Sequence, residues 1–167
     1  MIPHHFIRRW APPIACVASA AVVGIGFDGP ALALVNESPS LPRGLYLRIG
    51  ATVERGAVVA IIQPAAVRSY LMRLGMPGDV LLLKRVAAVE GDLVCAGFGI
   101  VRTPGRQVQT LDRDRQGAAL PVWRDCRRLA RDELFLLGDT PGSFDSRYFG
   151  PVLRGEAVGV YREVLTW

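Results

Sequence analysis

The sequence predicts a mainly β protein, a curled sheet or small barrel with one short helix, preceded by a single N-terminal transmembrane helix. Three observations support this. A charge-free apolar run spans residues 11–27. Short runs rich in valine, isoleucine, leucine and aromatic residues follow it, separated by glycine and proline, and only one later segment has helical periodicity. With 167 residues, half of them hydrophobic, the chain has room for one folded domain with a real core plus an appendage.

The first element is the apolar run, which follows Arg8 and Arg9 and continues as ALALV to residue 35 after Asp28. A basic start, an apolar core and the sequence Ala-Leu-Ala at 31–33 as a cleavage site also fit a cleavable secretory signal. The core is longer than the roughly 7–15 residues of a signal core and a little shorter than the ~20 residues of a spanning helix. We favour a retained signal anchor over residues 1–35, with both arginines on the cytoplasmic side.

Residues 36–167 form the predicted folded domain. Its strands are predicted from six apolar segments bounded by turn residues, namely residues 44–50, 57–63, 79–89, 92–96, 133–138 and 157–167. The one predicted helix is AAVRSYLMRL, residues 65–74. Cys95 and Cys126 form one possible pair in an oxidising compartment, and the sequence leaves their pairing open.

An arginine-rich insertion is predicted at residues 100–131, which contain eight arginines and three aspartates and show little apolar periodicity. We expect a solvated loop there. Contact with anionic lipid head groups is the functional alternative. Trp123 is the single aromatic residue among these arginines, whereas a platform for single-stranded nucleic acid requires several, so nucleic acid is not an expected partner.

Several classes of catalytic site are excluded by counting residues. Both histidines, His4 and His5, precede the predicted anchor and would lie across the membrane from the folded domain, so a Ser-His-Asp triad or a histidine zinc site is not expected. The sequence contains neither a CxxC motif nor a Walker sequence, and we expect no metal and no cofactor. A general base must therefore be a carboxylate or Lys84.

Lys84 is the only lysine in a chain with nineteen arginines, and it directly follows three leucines. A buried lysine can lose its proton near neutral pH, whereas arginine stays protonated. The alternative is a strand-end lysine whose ammonium reaches water. The stretch NESPSLPRGLY, residues 36–46, presents Ser38 and Ser40 in what is otherwise an ordinary turn. Serine beside a deprotonated lysine is a recognised nucleophile arrangement.

A third motif, GDTPGSFDSRYFG at residues 138–150, follows an apolar strand; alone it fits a simple loop that Asp145 and Arg147 pin. In this order, SPSLP, LLKRVAAVEGD and GDTPGSFDSRYFG resemble the serine, lysine and last motifs of the type I signal peptidase family, peptidase family S26. Ser40 lies only two positions before Pro42, and this departure from the usual serine motif is similar to the TraF branch of conjugative transfer peptidases. The resemblance covers residues 36–167 except the insertion.

The resemblance implies that Ser40 is the nucleophile and Lys84 the general base. It implies that the Ser38 hydroxyl assists the Ser40 amide in an oxyanion hole. Ser143 and Asp145 match residues that orient the lysine and brace the site, and we expect Asp145 to act through Arg147 or the backbone.

The function implied is that of a membrane-anchored serine endopeptidase with a compact, signal-peptidase-like β domain in the periplasm, anchored in the bacterial inner membrane. Its expected partners are membrane lipid and a precursor polypeptide, most specifically the propilin of a conjugative transfer system, with cyclisation of the product as one outcome. One alternative is a general type I signal peptidase that removes signal peptides from exported proteins. The other is a non-catalytic, membrane-anchored scaffold domain of a secretion apparatus.

Overall fold

The structure is a computed structural model that describes residues 29–167. The larger sheet contains β1 (Ala33–Asn36), β2 (Gly44–Ile49), β3 (Val58–Ile61), β4 (Leu82–Ala88), β9 (Glu133–Leu137), β10 (Val152–Leu153) and β11 (Ala157–Thr166). The smaller sheet contains β5 (Leu93–Gly97), β6 (Ile100–Thr103), β7 (Arg106–Gln109) and β8 (Cys126–Arg128). The helices are α1 (Ala65–Arg73), the one-turn α2 (Ser146–Phe149) and a 3₁₀ turn (Arg154–Glu156).

The larger sheet is antiparallel and has the strand order β1-β2-β11-β3-β4-β9-β10. It curls into a half-barrel, with the ten-residue β11 paired to both β2 and β3 and an irregularity in its register between Glu163 and Leu165. The predicted mainly β class, the curled sheet and the short helix at 65–74 are thus confirmed.

The central strands have continuous apolar sequences because of how they pack in the core. All four residues of β3 are buried, because the sheet is covered on both faces. One face packs against α1 through a cluster that contains Val59, Ile61, Leu82, Val67 and Leu71. The opposite face packs Val58, Ala60 and Leu83 against Leu41, Tyr46 and Tyr161. The strand that carries Lys84 is therefore held between two apolar layers.

The smaller sheet occupies residues 100–103, 106–109 and 126–128 of the region for which we expected a solvated loop. Val101 is fully buried and Val108 is packed against the same cluster, while the neighbouring Arg102 and Gln107 are exposed. This alternation of buried and exposed residues is that of a strand, and it was hidden by the many arginines. Cys95 and Cys126 face each other on adjacent strands of this sheet and form a disulfide.

The predicted anchor falls almost entirely outside the described residues. Among residues 29–167, no helix is both long enough and apolar enough to cross a membrane. The apolar residues 33–35 were assigned to the anchor from sequence but belong to β1, which pairs with β2 as an edge strand. The backbone of 30–32 also contacts the folded domain, since Arg48 N donates to the Leu32 carbonyl and Tyr161 Oη donates to that of Ala31. The sheet thus begins before residue 36.

Candidate active site

Ser40 lies on the loop between β1 and β2, and the side chain of Asn36 holds this loop in shape. Asn36 Nδ2 donates to the carbonyl oxygens of Ser38, Leu41 and Pro42 at 2.9–3.1 Å, and Asn36 Oδ1 accepts from Ser38 N at 3.2 Å. Asn36 is itself buried. Because a buried amide is costly unless it is hydrogen-bonded, these bonds specify one loop conformation and fix the position of Ser40.

Lys84 comes from β4, where its Cα lies opposite that of Val59 in β3. Its side chain is 4% exposed, and Nζ lies 2.8 Å from Ser40 Oγ. The Ser38 hydroxyl is 2.9 Å from Ser40 Oγ and accepts a hydrogen bond from Ser40 N at 3.2 Å. The structure thus brings together Ser38, Ser40 and Lys84 in one hydrogen-bonded group, with the amine and the hydroxyl in direct contact.

The surroundings of Lys84 favour its neutral form. Burial lowers the pKa of the ammonium from its ordinary 10.5 to about 8. The negative charge of Asp145 opposes this shift, and the positive charge of Arg147 adds to it. Burial is the largest of the three effects, so a substantial fraction of Lys84 is unprotonated in mildly alkaline solution.

Asp145 and Arg147 form a fully buried ion pair beneath the site. Asp145 accepts from Arg147 Nε and Nη2, both at 2.8 Å, and from the backbone N of Gly138 at 2.8 Å. The guanidinium also donates to four backbone carbonyls, those of Gln109, Thr140, Pro141 and Ser143. Within residues 29–167 none of the hydrogen bonds of Asp145 goes to Lys84, so the carboxylate braces the loop and acts on the amine only through its charge.

Ser143 is positioned differently from the expectation that it orients Lys84. The residue is 3% exposed, and its Oγ has no hydrogen-bond partner in the described part of the chain. It packs against Gly138, where an added Cβ would lie 2.1 Å from Ser143 Oγ and 2.8 Å from the Ser40 carbonyl oxygen. Position 138 therefore requires glycine, because any side chain would collide with the loop that carries Ser40.

The next residue, Asp139, connects the last motif to both Ser40 and β4. Its backbone N donates to the Ser40 carbonyl at 2.6 Å. Its carboxylate accepts from Arg85 at 3.1 and 2.8 Å, and this pairing with arginine holds the pKa of Asp139 below its usual value. Arg85 adjoins Lys84, so these bonds help to set the loop of Ser40 against the strand of Lys84.

Ser40 and Lys84 open onto a cleft of about 600 Å³ between β1 and the segment that leads into β4. The cleft walls are mainly apolar and include Leu34, Leu71, Met76, Val80, Leu82 and Phe144. No group of three or more His, Cys, Asp or Glu side chains that could hold a metal ion occurs within residues 29–167.

Similarity to known proteins indicates the family of this chain. The family model for signal peptidase, peptidase S26, matches residues 7–167. The chain belongs to the peptidase S26 family. Two proteins of Escherichia coli named plasmid transfer protein TraF are 36% and 34% identical to this S26 family member, and each alignment covers 96% of this chain and 98% of the relative. A probable conjugal transfer protein TraF of Sinorhizobium fredii is 31% identical over 96% of this chain and 93% of that protein.

The resemblance to the TraF branch of the S26 family that was predicted from three short motifs is therefore confirmed over nearly the whole chain. Membership indicates a peptidase of the signal-peptidase type, which acts on polypeptides. In this S26 peptidase, sequence reasoning missed Asn36 and Gly138, which hold the loop around Ser40 without belonging to the serine-lysine pair. The motif N-x-S-x-S-x-P contains the asparagine, and its position two residues before Ser38 was the available signal.

Proposed function

We propose that this S26 peptidase is a membrane-anchored serine endopeptidase in which Ser40 is the nucleophile and Lys84 the general base. The observation that supports this best is the 2.8 Å contact between Ser40 Oγ and Lys84 Nζ at a buried position. A positioned base within hydrogen-bonding reach is the first geometric requirement for activating a hydroxyl.

The proposed reaction begins when the neutral amine of Lys84 removes the proton from Ser40 Oγ as the oxygen attacks the carbonyl carbon of the scissile peptide bond. A bond forms between Oγ and carbon, and the carbonyl oxygen takes up the negative charge. When the tetrahedral intermediate collapses, Lys84 returns the proton to the leaving amine, which leaves an ester on Ser40. Attack by water or by an amine then releases the acyl group and restores the serine.

The oxyanion in this proposal is stabilised by the Ser40 N–H and the Ser38 hydroxyl. Both donors belong to the loop that Asn36 holds, and the hydrogen bond from Asp139 N to the Ser40 carbonyl fixes the orientation of the peptide that follows Ser40. In the free protein the Ser40 N–H points at Ser38 Oγ, and the substrate oxygen would share or replace that contact. Loss of one such donor typically lowers the rate by about 10²–10³.

The proposed substrate is a precursor polypeptide, the propilin of a conjugative transfer system. The relatives of this chain carry the name of plasmid or conjugal transfer proteins, which supports that assignment. Capture of the acyl group by the amino terminus of the substrate itself would give a cyclic pilin. We place the peptidase domain, including β1, in the periplasm and the anchor, the apolar run at residues 11–27, in the inner membrane and its lipid.

A general signal peptidase that serves many exported proteins is the second candidate, and the family description favours it as directly. Mass spectrometry distinguishes the two. Full-length protein in detergent is incubated with pilin precursors of the transfer system and, separately, with unrelated precursors that carry signal peptides. Processing of the pilin precursors alone supports the first candidate, and comparable processing of all precursors supports the second. A mass 18 Da below that of the linear product reports cyclisation.

The same assay tests the serine-lysine pair. We expect Ser40→Ala and Lys84→Arg to abolish processing, while Ser69→Ala, a change at an exposed serine on α1, leaves it intact. Activity of Lys84→Arg close to that of the parent would refute the role of Lys84 as base, because arginine cannot accept the proton. Loss of activity with retained folding, checked by circular dichroism, separates a chemical role from a structural one.

The membrane anchor is tested by topology. Protease added to spheroplasts is expected to digest the domain, once unfolded, and to spare an N-terminal tag. Protection of the C-terminus contradicts the periplasmic placement, and recovery of a chain that begins near residue 36 shows that the segment is cleaved.

A further inference from the structure

The cleft beside Ser40 differs in charge from the protein as a whole. The chain carries nineteen arginines and a net charge of +5, yet none of the eighteen residues that line the cleft is an arginine. Its ionisable side chains are Glu37, Asp79 and the buried Lys84. Glu37 and Asp79 are both exposed and belong to two separate segments that line the cleft. The opening to Ser40 is thus flanked by two carboxylates in an otherwise basic protein.

Both carboxylates are carried on backbone that buried amides hold in place. Glu37 lies between Asn36 and Ser38, within the loop that the Asn36 side chain closes. Asp79 lies in the turn 77–80, where the fully buried Gln63 donates from Nε2 to the carbonyls of Pro77 at 2.7 Å and Val80 at 3.1 Å. These contacts hold the backbone from which the two side chains extend at the lining of the cleft.

Neither carboxylate is neutralised by the described part of the protein. Other acidic residues pair with arginine, as Asp92 does with Arg55 and Asp139 with Arg85. Glu37 and Asp79 make no ion pair or hydrogen bond through their side chains within residues 29–167. The wall of the same cleft also contains the buried Ser143 Oγ, whose hydrogen-bonding capacity the described protein does not use.

We infer that Glu37 and Asp79 form a cation-selecting entrance, which binds a positively charged group of the precursor as its chain lies across Ser40. This rests on the proposed function, because it takes the occupant of the cleft to be a peptide. The shared chemistry is an ammonium, which either a lysine side chain or the free amino terminus of the substrate supplies. The basic surface outside the cleft disfavours cationic peptides, so preference for a cation is local to these two carboxylates.

The test uses the full-length protein with Ser40→Ala, in an uncharged detergent, so that peptides bind without being cleaved. Three C-terminally amidated ten-residue peptides of alanine, valine and serine carry an uncharged dye and differ only in charge. The first has a free amino terminus. The second is acetylated and contains one lysine, and the third is acetylated and has norleucine in place of that lysine. Fluorescence anisotropy gives the three affinities at low and high salt.

We expect at least one cationic peptide to bind more tightly than the neutral peptide. Whether that is the peptide with a free amino terminus or the peptide with a lysine identifies the source of the ammonium. Glu37→Gln and Asp79→Asn should each weaken that peptide by roughly two- to fivefold, the size typical of exposed ion pairs, and high salt should do the same. Glu90→Gln, at an exposed carboxylate outside the cleft, should leave every affinity unchanged.

Equal affinity for all three peptides, or a cation preference that survives in the double variant Glu37→Gln and Asp79→Asn, overturns the inference and leaves the proposed peptidase function intact. Failure of all three peptides to bind also overturns it. Only in that last case does the proposed function itself lose support, and processing of precursors by the parent protein decides that question separately.

Discussion

Replacement of Lys84 by methionine is expected to make the protein more stable while removing its activity. Lys84 is 4% exposed, and burial lowers the pKa of its ammonium from 10.5 to about 8. This means that the folded state holds the lysine proton less tightly than the unfolded chain does. Between about pH 8 and pH 10.5 the unfolded chain therefore binds more protons, and stability rises with pH across this window.

The magnitude follows from the pKa difference. At pH 7 both states are largely protonated, so the full difference applies, and the buried ammonium lowers the free energy of unfolding by about 3 kcal/mol. At pH 10 the same effect is about 1 kcal/mol. Methionine keeps a similar volume and removes this cost, but it also removes the hydrogen bond to Ser40, which contributes about 1 kcal/mol. The expected net gain for Lys84→Met is about 2 kcal/mol at pH 7 and about zero at pH 10.

Guanidinium unfolding of the full-length protein, followed by tryptophan fluorescence at pH 7 and pH 10 with the disulfide intact, measures this gain. Arg43→Met is the matched control, because Arg43 is exposed and makes no side-chain hydrogen bond within residues 29–167. Its stability should stay within about 0.5 kcal/mol of the parent at both pH values. A Lys84→Met protein that is less stable than the parent at pH 7, or a gain that does not shrink at pH 10, refutes the reasoning.

Four further predictions concern the pH profile, two bracing contacts and the disulfide. Proteolytic rate should rise with pH along one ionisation near 8, the pKa of Lys84, and a flat stopped-assay profile from pH 6 to 9 would contradict it. Steady-state kinetics of Asn36→Ala should show kcat lowered by about 10²-fold, because Ser40 loses its fixed position. Denaturant unfolding of Asp145→Asn should show a loss of about 3–5 kcal/mol of stability, because Arg147 is left buried without its counter-charge. Cys95→Ser should lower the thermal midpoint, with a loss of about 2–4 kcal/mol, and an unchanged midpoint by calorimetry would contradict a stabilising disulfide.

Much of the large sheet could be predicted from the sequence because its strands are buried on both faces. Segments such as that of β3 and that of β9 are short, apolar and bounded by glycine, proline or charged residues, which distinguishes them from helices. The smaller sheet could not be predicted in the same way. Strand β6 buries only Val101 and β7 contributes only the half-buried Val108, and exposed arginine and glutamine between the valines conceal the alternation.

Hydropathy also could not separate the end of the apolar N-terminal run from the first strand. Leu34 and Val35 are as hydrophobic as a membrane segment, yet they lie on an edge strand that pairs with β2, the next strand of the chain, across the loop 37–43. Edge strands of this kind depend on tertiary pairing, which a local pattern does not encode.

At the site, the motifs predicted which residues meet, and the structure places Ser40 and Lys84 in contact. The supporting contacts were harder to foresee. The four hydrogen bonds of Asn36 depend on the loop conformation that they stabilise, so the motif N-x-S-x-S-x-P marks the asparagine without indicating its partners. Ser143, whose Oγ has no hydrogen-bond partner within residues 29–167, packs against Gly138, and spacing alone does not reveal this contact between residues five positions apart.

The presence of one lysine in the whole chain has a consequence for spectroscopy. Reductive methylation with isotope-labelled formaldehyde modifies primary amines, and here the only side-chain amine is that of Lys84. Apart from the chain's α-amino group, the label would therefore report on one atom in direct contact with Ser40 Oγ. The chemical shift of the label, measured against pH in the folded and the unfolded protein, would report the ionisation of that amine in each state. The measurement needs no substrate and no assignment of other resonances.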